Sequence, residues 1–142
     1  MSGTSLDGVD IACCLFQLKN QKWEFRIEKA KAVPYTDSWS QKLSTAHTLS
    51  SDELIKLHVE YGVYLGNLCK KFIRLYGIKQ VDFIASHGHT VFHRPDKKFT
   101  FQISLCRLHG CDVPPLNKDG RGSIHPFPEW HLFYAEFWSV PH

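Results

Sequence analysis

Between Ser50 and Gly77 apolar residues recur at helical spacing without a break: Leu54, Leu57, Tyr61, Leu65, Leu68, Phe72 and Leu75. Ser50 followed by Glu53 has the form of a capping box, and Gly77 suits a left-handed cap at the other end. Lys70, Lys71 and Arg74 lie where positive charge favours the helix dipole. The spacing predicts an amphipathic helix of about seven turns at 3.6 residues per turn. Its single apolar stripe must be covered, and the flanking sequence reads as strands. Ile11-Ala12-Cys13-Cys14-Leu15-Phe16 is an apolar run of strand length, and Trp23-Glu24-Phe25-Arg26-Ile27-Glu28 alternates apolar with charged. With Lys19-Asn20-Gln21 as the turn, residues 11–30 are expected as an antiparallel hairpin that Pro34 ends. A loop and a short helix around 38–46 follow. After the long helix, Val81-Asp82-Phe83-Ile84-Ala85 fits a parallel strand buried on both faces. Residues 91–93 and 99–103, joined across 94–98, read as a second hairpin. The class is therefore α/β: a β-hairpin, a long helix and a buried strand.

Two polar stretches sit where these elements begin or end. The chain opens on Ser2-Gly3-Thr4-Ser5-Leu6-Asp7-Gly8-Val9-Asp10, which runs straight into the first strand. Gly3 and Gly8 permit a tight turn and close approach of backbone to a ligand. Thr4, Ser5 and nearby N–H groups suit phosphate oxygens, while Asp7 and Asp10 suit a hydrated Mg²⁺ or a sugar hydroxyl. The same composition also describes an ordinary turn between strands. The second stretch, Ser86-His87-Gly88-His89-Thr90, lies where the expected buried strand stops, the end at which α/β sheets collect ligands. His87, His89 and His93 have a spacing reminiscent of zinc sites, and His-x-His on an extended segment points both rings one way. No acidic residue or cysteine nearby in sequence is an evident further ligand, so the imidazoles and the Gly88 amide are read as polar contacts to sugar hydroxyls or an acyl group.

Composition narrows the rest. At 142 residues the chain has the length of one domain, and 43% apolar residues suffice for a core. A net charge of +3 gives no case for nucleic acid or a membrane surface, and no run of about 18 apolar residues spans a bilayer. No basic-then-apolar signal segment opens the chain. Cys13, Cys14, Cys69, Cys106 and Cys111 are odd in number and show no Cys-x-x-Cys spacing. They are read as reduced, mostly core thiols of a cytoplasmic protein.

The opening string resembles the N-terminal phosphate loop of the anhydro-N-acetylmuramic acid kinases, members of the actin-like ATPase and sugar kinase group. Ala85-Ser86-His87-Gly88-His89-Thr90-Val91-Phe92-His93, followed by Phe99-Thr100-Phe101-Gln102-Ile103, is similar to the same family's next block, in the same order. The resemblance covers roughly residues 1–103. It implies part of the N-terminal lobe of an actin-like (ribonuclease H-like) sugar kinase fold. It also implies ATP and Mg²⁺ as cofactors, and an amino sugar, 1,6-anhydro-N-acetylmuramic acid, as the small-molecule substrate. Gly3, Thr4, Ser5, Leu6, Asp7, Gly8, Val9 and Asp10 would wrap the ATP phosphates, with Asp7 at the metal. Ser86, His87, Gly88, His89 and Thr90 would lie near the sugar. The implied chemistry opens the anhydro bridge with water as phosphate moves to O6, giving N-acetylmuramic acid 6-phosphate for peptidoglycan recycling. Full-length members are implied to form homodimers; no nucleic acid or membrane partner is implied.

The sequence departs from that pattern. The family usually has glutamine at the position of His89, and histidine does not offer the paired donor and acceptor of an amide. The family's general base is an aspartate in an Asp-Thr-Gly-Pro block, which this sequence lacks, so no catalytic residue is assigned. By that pattern a short apolar strand ahead of the loop and a second lobe are expected to be missing from these 142 residues. Residues 104–142, with Pro114, Pro115, Pro126, Pro128 and Pro141, form an atypical tail, expected to be a shifted reading frame or unrelated sequence prone to self-association. Within it, 129–138 is nearly apolar all round, compatible with a short helix, and is read as collapsed or aggregating sequence. The expected alternatives to a kinase are a non-catalytic sugar- or phosphate-binding fragment and a decayed gene product.

Overall fold

The computed structural model describes residues 6–103 and 129–135. Strands β1 (Gly8–Lys19) and β2 (Lys22–Pro34) form the hairpin expected over 11–30, extended at both ends. The two-residue turn places Asn20 at φ 49° and Gln21 at φ 62°, the left-handed pair whose twist matches flanking strands. Helix α1 (Asp37–Ser44) follows, with Thr36 accepting the Trp39 N–H as its N-cap, and a short 3₁₀ turn spans Ala46–Thr48. Helix α2 (Ser51–Tyr76) is the long element. Both halves of its capping box form: the Ser50 hydroxyl accepts the Glu53 N–H, and the Glu53 carboxylate accepts the Ser50 N–H at 3.0 Å. The helix stops at Gly77, whose φ of 61° is the left-handed cap.

Strand β3 (Phe83–Ser86) follows, then a second hairpin of β4 (His89–Arg94) and β5 (Phe99–Ile103), as expected. Strand β6 (Glu129–Ala135) completes the larger sheet, whose order is β2-β1-β6-β3. The short helix weighed over 129–138 is corrected over 129–135, which is a strand; residues 136–138 lie outside the described residues. β1 has its second edge to satisfy, and a segment containing Trp130, Leu132, Phe133 and Tyr134 has strong strand propensity. Residues 129–135 accordingly run antiparallel to β1 and parallel to β3. β3 is thus a parallel strand as expected, but Ile84, Ala85 and Ser86 are half-buried rather than enclosed on both faces.

One face of β1 meets α2. Val9, Ile11 and Cys13 join Leu57, Tyr61, Leu65, Leu68, Cys69 and Phe72 in one cluster, with Ile103 added from β5. The buried stripe of α2 follows i, i+4 steps through 57, 61, 65 and 69 and ends at Phe72, whose ring meets that of the exposed Tyr76 at 4.6 Å. Leu75, counted in the stripe by sequence spacing, is 60% exposed although it falls on the same face as Leu57, because the last turn of the helix is not covered. Cys13, Cys14 and Cys69 are buried free thiols; Cys106 and Cys111 lie outside the described residues. Burial comes first in raising the Cys13 and Cys14 pKa values, so both stay protonated core filler. No described helix is long and apolar enough to cross a membrane.

Two substitutions separate packing from capping. Leu65→Ala, at a site 1% exposed, is expected to cost about 2–5 kcal/mol. Ser50→Ala, which removes an exposed cap, is expected to cost about 1 kcal/mol. Urea unfolding followed by circular dichroism checks the ranking; equal losses would show that α2 is not held mainly by its buried face.

Candidate functional site

The sheet brings the two polar stretches to one end. Ile11 pairs with Ala135, and Ala135 pairs with Ser86, so these three residues form one row across β1, β6 and β3. β1 runs away from that row and β3 runs into it. The start of β1 and the turn after β3 therefore emerge at the same end, separated by about 10 Å at the usual strand spacing.

Of the eight residues expected to wrap a phosphate, Gly3, Thr4 and Ser5 lie outside the described residues. Leu6 and Asp7 form the bend that enters β1, and Asp7 is exposed. Two hydrogen bonds hold this bend from its inner side: the Ser40 hydroxyl donates to the Leu6 carbonyl at 3.2 Å, and the Tyr35 N–H donates to the Asp7 carbonyl at 3.1 Å. Gly8 already belongs to β1, opposite Pro34. A Cβ at position 8 would stand 2.4 Å from the Val33 carbonyl oxygen, so glycine is required there by the neighbouring strand. The close backbone approach expected at Gly8 is thus made by β2. Val9 turns into the core at 1% exposure, and Asp10 faces outward on the opposite side of the sheet.

The second stretch is a tight turn. The Ser86 hydroxyl accepts the Gly88 N–H at 3.1 Å, and Gly88 adopts φ 71°. That positive φ overturns the expectation that His87 and His89 point the same way. The chain is not extended through Gly88, so His87 is exposed while His89 is 8% exposed. His89 sits edge-on to the Tyr61 ring at 6.4 Å. Burial, and next the neighbouring His87, lower its pKa; the Leu43 carbonyl, which accepts from the ring, pulls the other way. The Thr90 hydroxyl accepts from the Gln102 amide at 3.1 Å, and His93 pairs with the Thr100 hydroxyl at 3.0 Å. Among the described residues no group of three or more His, Cys, Asp or Glu side chains is placed to hold a metal ion.

What links the two stretches is an aromatic cluster that sequence reading missed. The Tyr35 and Tyr61 hydroxyls lie 2.7 Å apart, and Trp39 lies tilted against Tyr64 with ring centres 4.5 Å apart and edge-on to Tyr61 at 5.7 Å. Tyr35 holds the Asp7 carbonyl through its backbone and Tyr61 through its side chain, and Tyr61 touches His89. The signal was present in Tyr61 and Tyr64, three apart on one helix face, but their partners Tyr35 and Trp39 come from outside the helix. A depression of about 240 Å³ lies elsewhere, on the outer face of the hairpin, lined by Asp10, Ala12, Ile27, Ala30 and Ala32 among others. It is smaller than the roughly 300–1,000 Å³ of ligand pockets and does not border the His87–His89 turn.

These features define an α/β protein with a polar bend and a His-Gly-His turn gathered at one end of a sheet. A family model described as anhydro-N-acetylmuramic acid kinase matches residues 1–109, and the chain belongs to that family. An anhydro-N-acetylmuramic acid kinase of Francisella tularensis subsp. novicida is 29% identical over 113 residues, 76% of this chain and 30% of the relative. One from Pseudoalteromonas translucida is 28% identical over 106 residues, covering 71% and 26%. One from Pseudoalteromonas atlantica is 30% identical over 100 residues, covering 67% and 25%. The chain thus spans under a third of the length of these relatives. No solved structure matches it.

The buried His89 generates a pH prediction. Its folded pKa lies below the ordinary 6.5, so the unfolded chain takes up the proton first as pH falls. Its contribution is fully present above that value and is lost as pH drops through it towards the folded pKa. The urea midpoint is expected to fall between about pH 7.5 and pH 5, and His89→Gln is expected to reduce that fall. An identical pH profile in the variant would show that His89 is not the group responsible.

Proposed function

We propose that this chain carries the phosphate-loop end and a sugar-contacting turn of an anhydro-N-acetylmuramic acid kinase. The chemistry would be ATP-dependent phosphorylation of 1,6-anhydro-N-acetylmuramic acid with hydrolytic opening of the anhydro ring, in the cytoplasm. The architecture proposed is part of the N-terminal lobe of an actin-like sugar kinase. The observation that carries the reading is the shared row Ile11–Ala135–Ser86, which puts Asp7 and the His87–Thr90 turn at one end of the sheet.

The residues present fit these roles. Asp7 is an exposed carboxylate whose backbone is tied inward by Tyr35, a hard oxygen donor suited to Mg²⁺ that keeps most of its waters. Bound Mg²⁺ would supply charge neutralisation for the transferred phosphoryl group. Gly3, Thr4 and Ser5 would offer N–H and hydroxyl donors to phosphate oxygens. On the sugar side His87 would donate to a hydroxyl, while Ser86 holds the Gly88 turn in shape. Leu6, Gly8, Val9 and Asp10 would act by positioning: they fix where the bend enters the sheet.

A second reading, a binding fragment that does not turn over, is favoured by the lack of an Asp-Thr-Gly-Pro block among residues 1–142. Calorimetry with Mg²⁺-ATP is expected to show binding that Asp7→Asn abolishes while the circular dichroism spectrum is unchanged. Equal nucleotide affinity in the variant would reduce the bend to a structural turn. ADP release that depends on the anhydro sugar separates the kinase from the binding fragment, which would bind without turnover.

A further inference from the structure

Ser40 belongs to neither polar stretch, yet its side chain grips one of them. It stands inside α1, where its own N–H is used within the helix, donating to the Thr36 carbonyl at 3.0 Å. A serine inside a helix ordinarily turns its hydroxyl to solvent or back onto the preceding turn. The Ser40 hydroxyl instead leaves the helix and donates to the Leu6 carbonyl, 34 residues away in sequence, at 3.2 Å. The helix that carries it is anchored on either side of Ser40. The Trp39 ring meets Tyr64 at 4.5 Å and Tyr61 at 5.7 Å, Lys42 pairs with Glu60 of α2 at 2.8 Å, and Leu43 belongs to the core cluster. The hydroxyl is therefore presented from a fixed element rather than from a loop.

What that bond controls follows from the peptide unit. The unit is planar and trans, so its C=O and N–H point in opposite directions. With the Leu6 carbonyl drawn in towards Ser40, the Asp7 N–H of the same unit is turned away from α1. The next unit is set in the same way. The Tyr35 N–H holds the Asp7 carbonyl at 3.1 Å on the β2 side, which turns the Gly8 N–H away from β2, in the direction of β6 and β3. Successive N–H groups presented by a bend form a concavity suited to an anion. We infer that Ser40 is a positioning residue for nucleotide binding: its hydroxyl fixes the Leu6–Asp7 peptide plane and so aims the Asp7 N–H at a phosphate oxygen. This rests on the kinase reading of the bend and adds to it a residue from α1. The Tyr35 bond is made by backbone and survives most substitutions, whereas the Ser40 bond requires a hydroxyl at that position. Alanine is also the better helix former, and half-buried Leu6 lets water replace the lost donor. Ser40→Ala therefore leaves the stability of the fold nearly unchanged, and its effect falls on the ligand.

Calorimetry of the full wild-type chain with Mg²⁺-ATP comes first; no binding there overturns the kinase reading and this inference with it. Given binding, Ser40→Ala is expected to weaken Mg²⁺-ATP about five- to tenfold, the effect of one hydrogen bond, and Ser40→Thr, which keeps the hydroxyl, to return it to within about twofold of wild type. The urea midpoint is expected to be the same in all three proteins. Nucleotide affinity unchanged by Ser40→Ala, or lost equally in Ser40→Thr, overturns the role of Ser40 and leaves the kinase reading standing. A nucleotide loss matched by a fall in the urea midpoint also overturns it, by making Ser40 a structural residue. Amide exchange in the wild-type chain, read by NMR, covers the case in which the variants fail to fold. Saturating Mg²⁺-ATP is expected to slow exchange at the Asp7 N–H by roughly tenfold or more. Unchanged exchange at that amide in the bound chain overturns the orientation from which the inference is drawn.

Discussion

The structure depends on one contact: the inward face of β1 against the inward face of α2. Val9, Ile11 and Cys13 on the strand and Tyr61, Leu65 and Cys69 on the helix are each 1% exposed or less. Apolar burial on this scale, at about 25 cal/mol per Å² removed from water, is the main favourable term open to so short a chain. The hairpin, α1 and the second hairpin are arranged around that seam, and Ile103 closes it from β5. Tyr61 has a second role. Its ring is wholly buried, yet its hydroxyl reaches Tyr35 and its ring edge reaches His89. The centre of the core is thereby the link between the two polar stretches.

This linkage explains why the site is built as it is. The bend at Leu6 and Asp7 has its carbonyls taken by Ser40 and Tyr35, so its geometry is inherited from α1 and from the loop after β2. The turn at His87 and Gly88 is held by the Ser86 hydroxyl and by burial of His89 beneath Leu43 and Tyr61. The bend keeps the Asp7 side chain exposed and the turn that of His87, each on a backbone that the core holds in place. Placing functional groups on loops anchored by a packed scaffold is a general way to combine access with fixed geometry.

Much of this was legible in the residues. The capping box at Ser50 and Glu53, the stop at Gly77 and the alternation of 23–28 are local signals, and local signals survive because backbone hydrogen bonding and side-chain period act within a few residues. The aromatic cluster was not legible, since Tyr35, Trp39, Tyr61, Tyr64 and His89 come from three elements and the loop after β2. The opposed orientations of His87 and His89 were hidden for a different reason. They turn on one φ angle at Gly88, and glycine permits either sign.

By itself the sequence determined the elements that depend on short-range period and capping: the hairpin, the long helix, the second hairpin and the order of the two polar stretches. It also carried the family, because the opening string and the block around His87 are contiguous. Tertiary structure alone decided that 129–135 is a strand, that it lies between β1 and β3, and that Ile11, Ala135 and Ser86 share a row. An aromatic heptamer can be helix or strand until a neighbouring edge offers it hydrogen-bond partners, and that edge belongs to residues more than a hundred positions away.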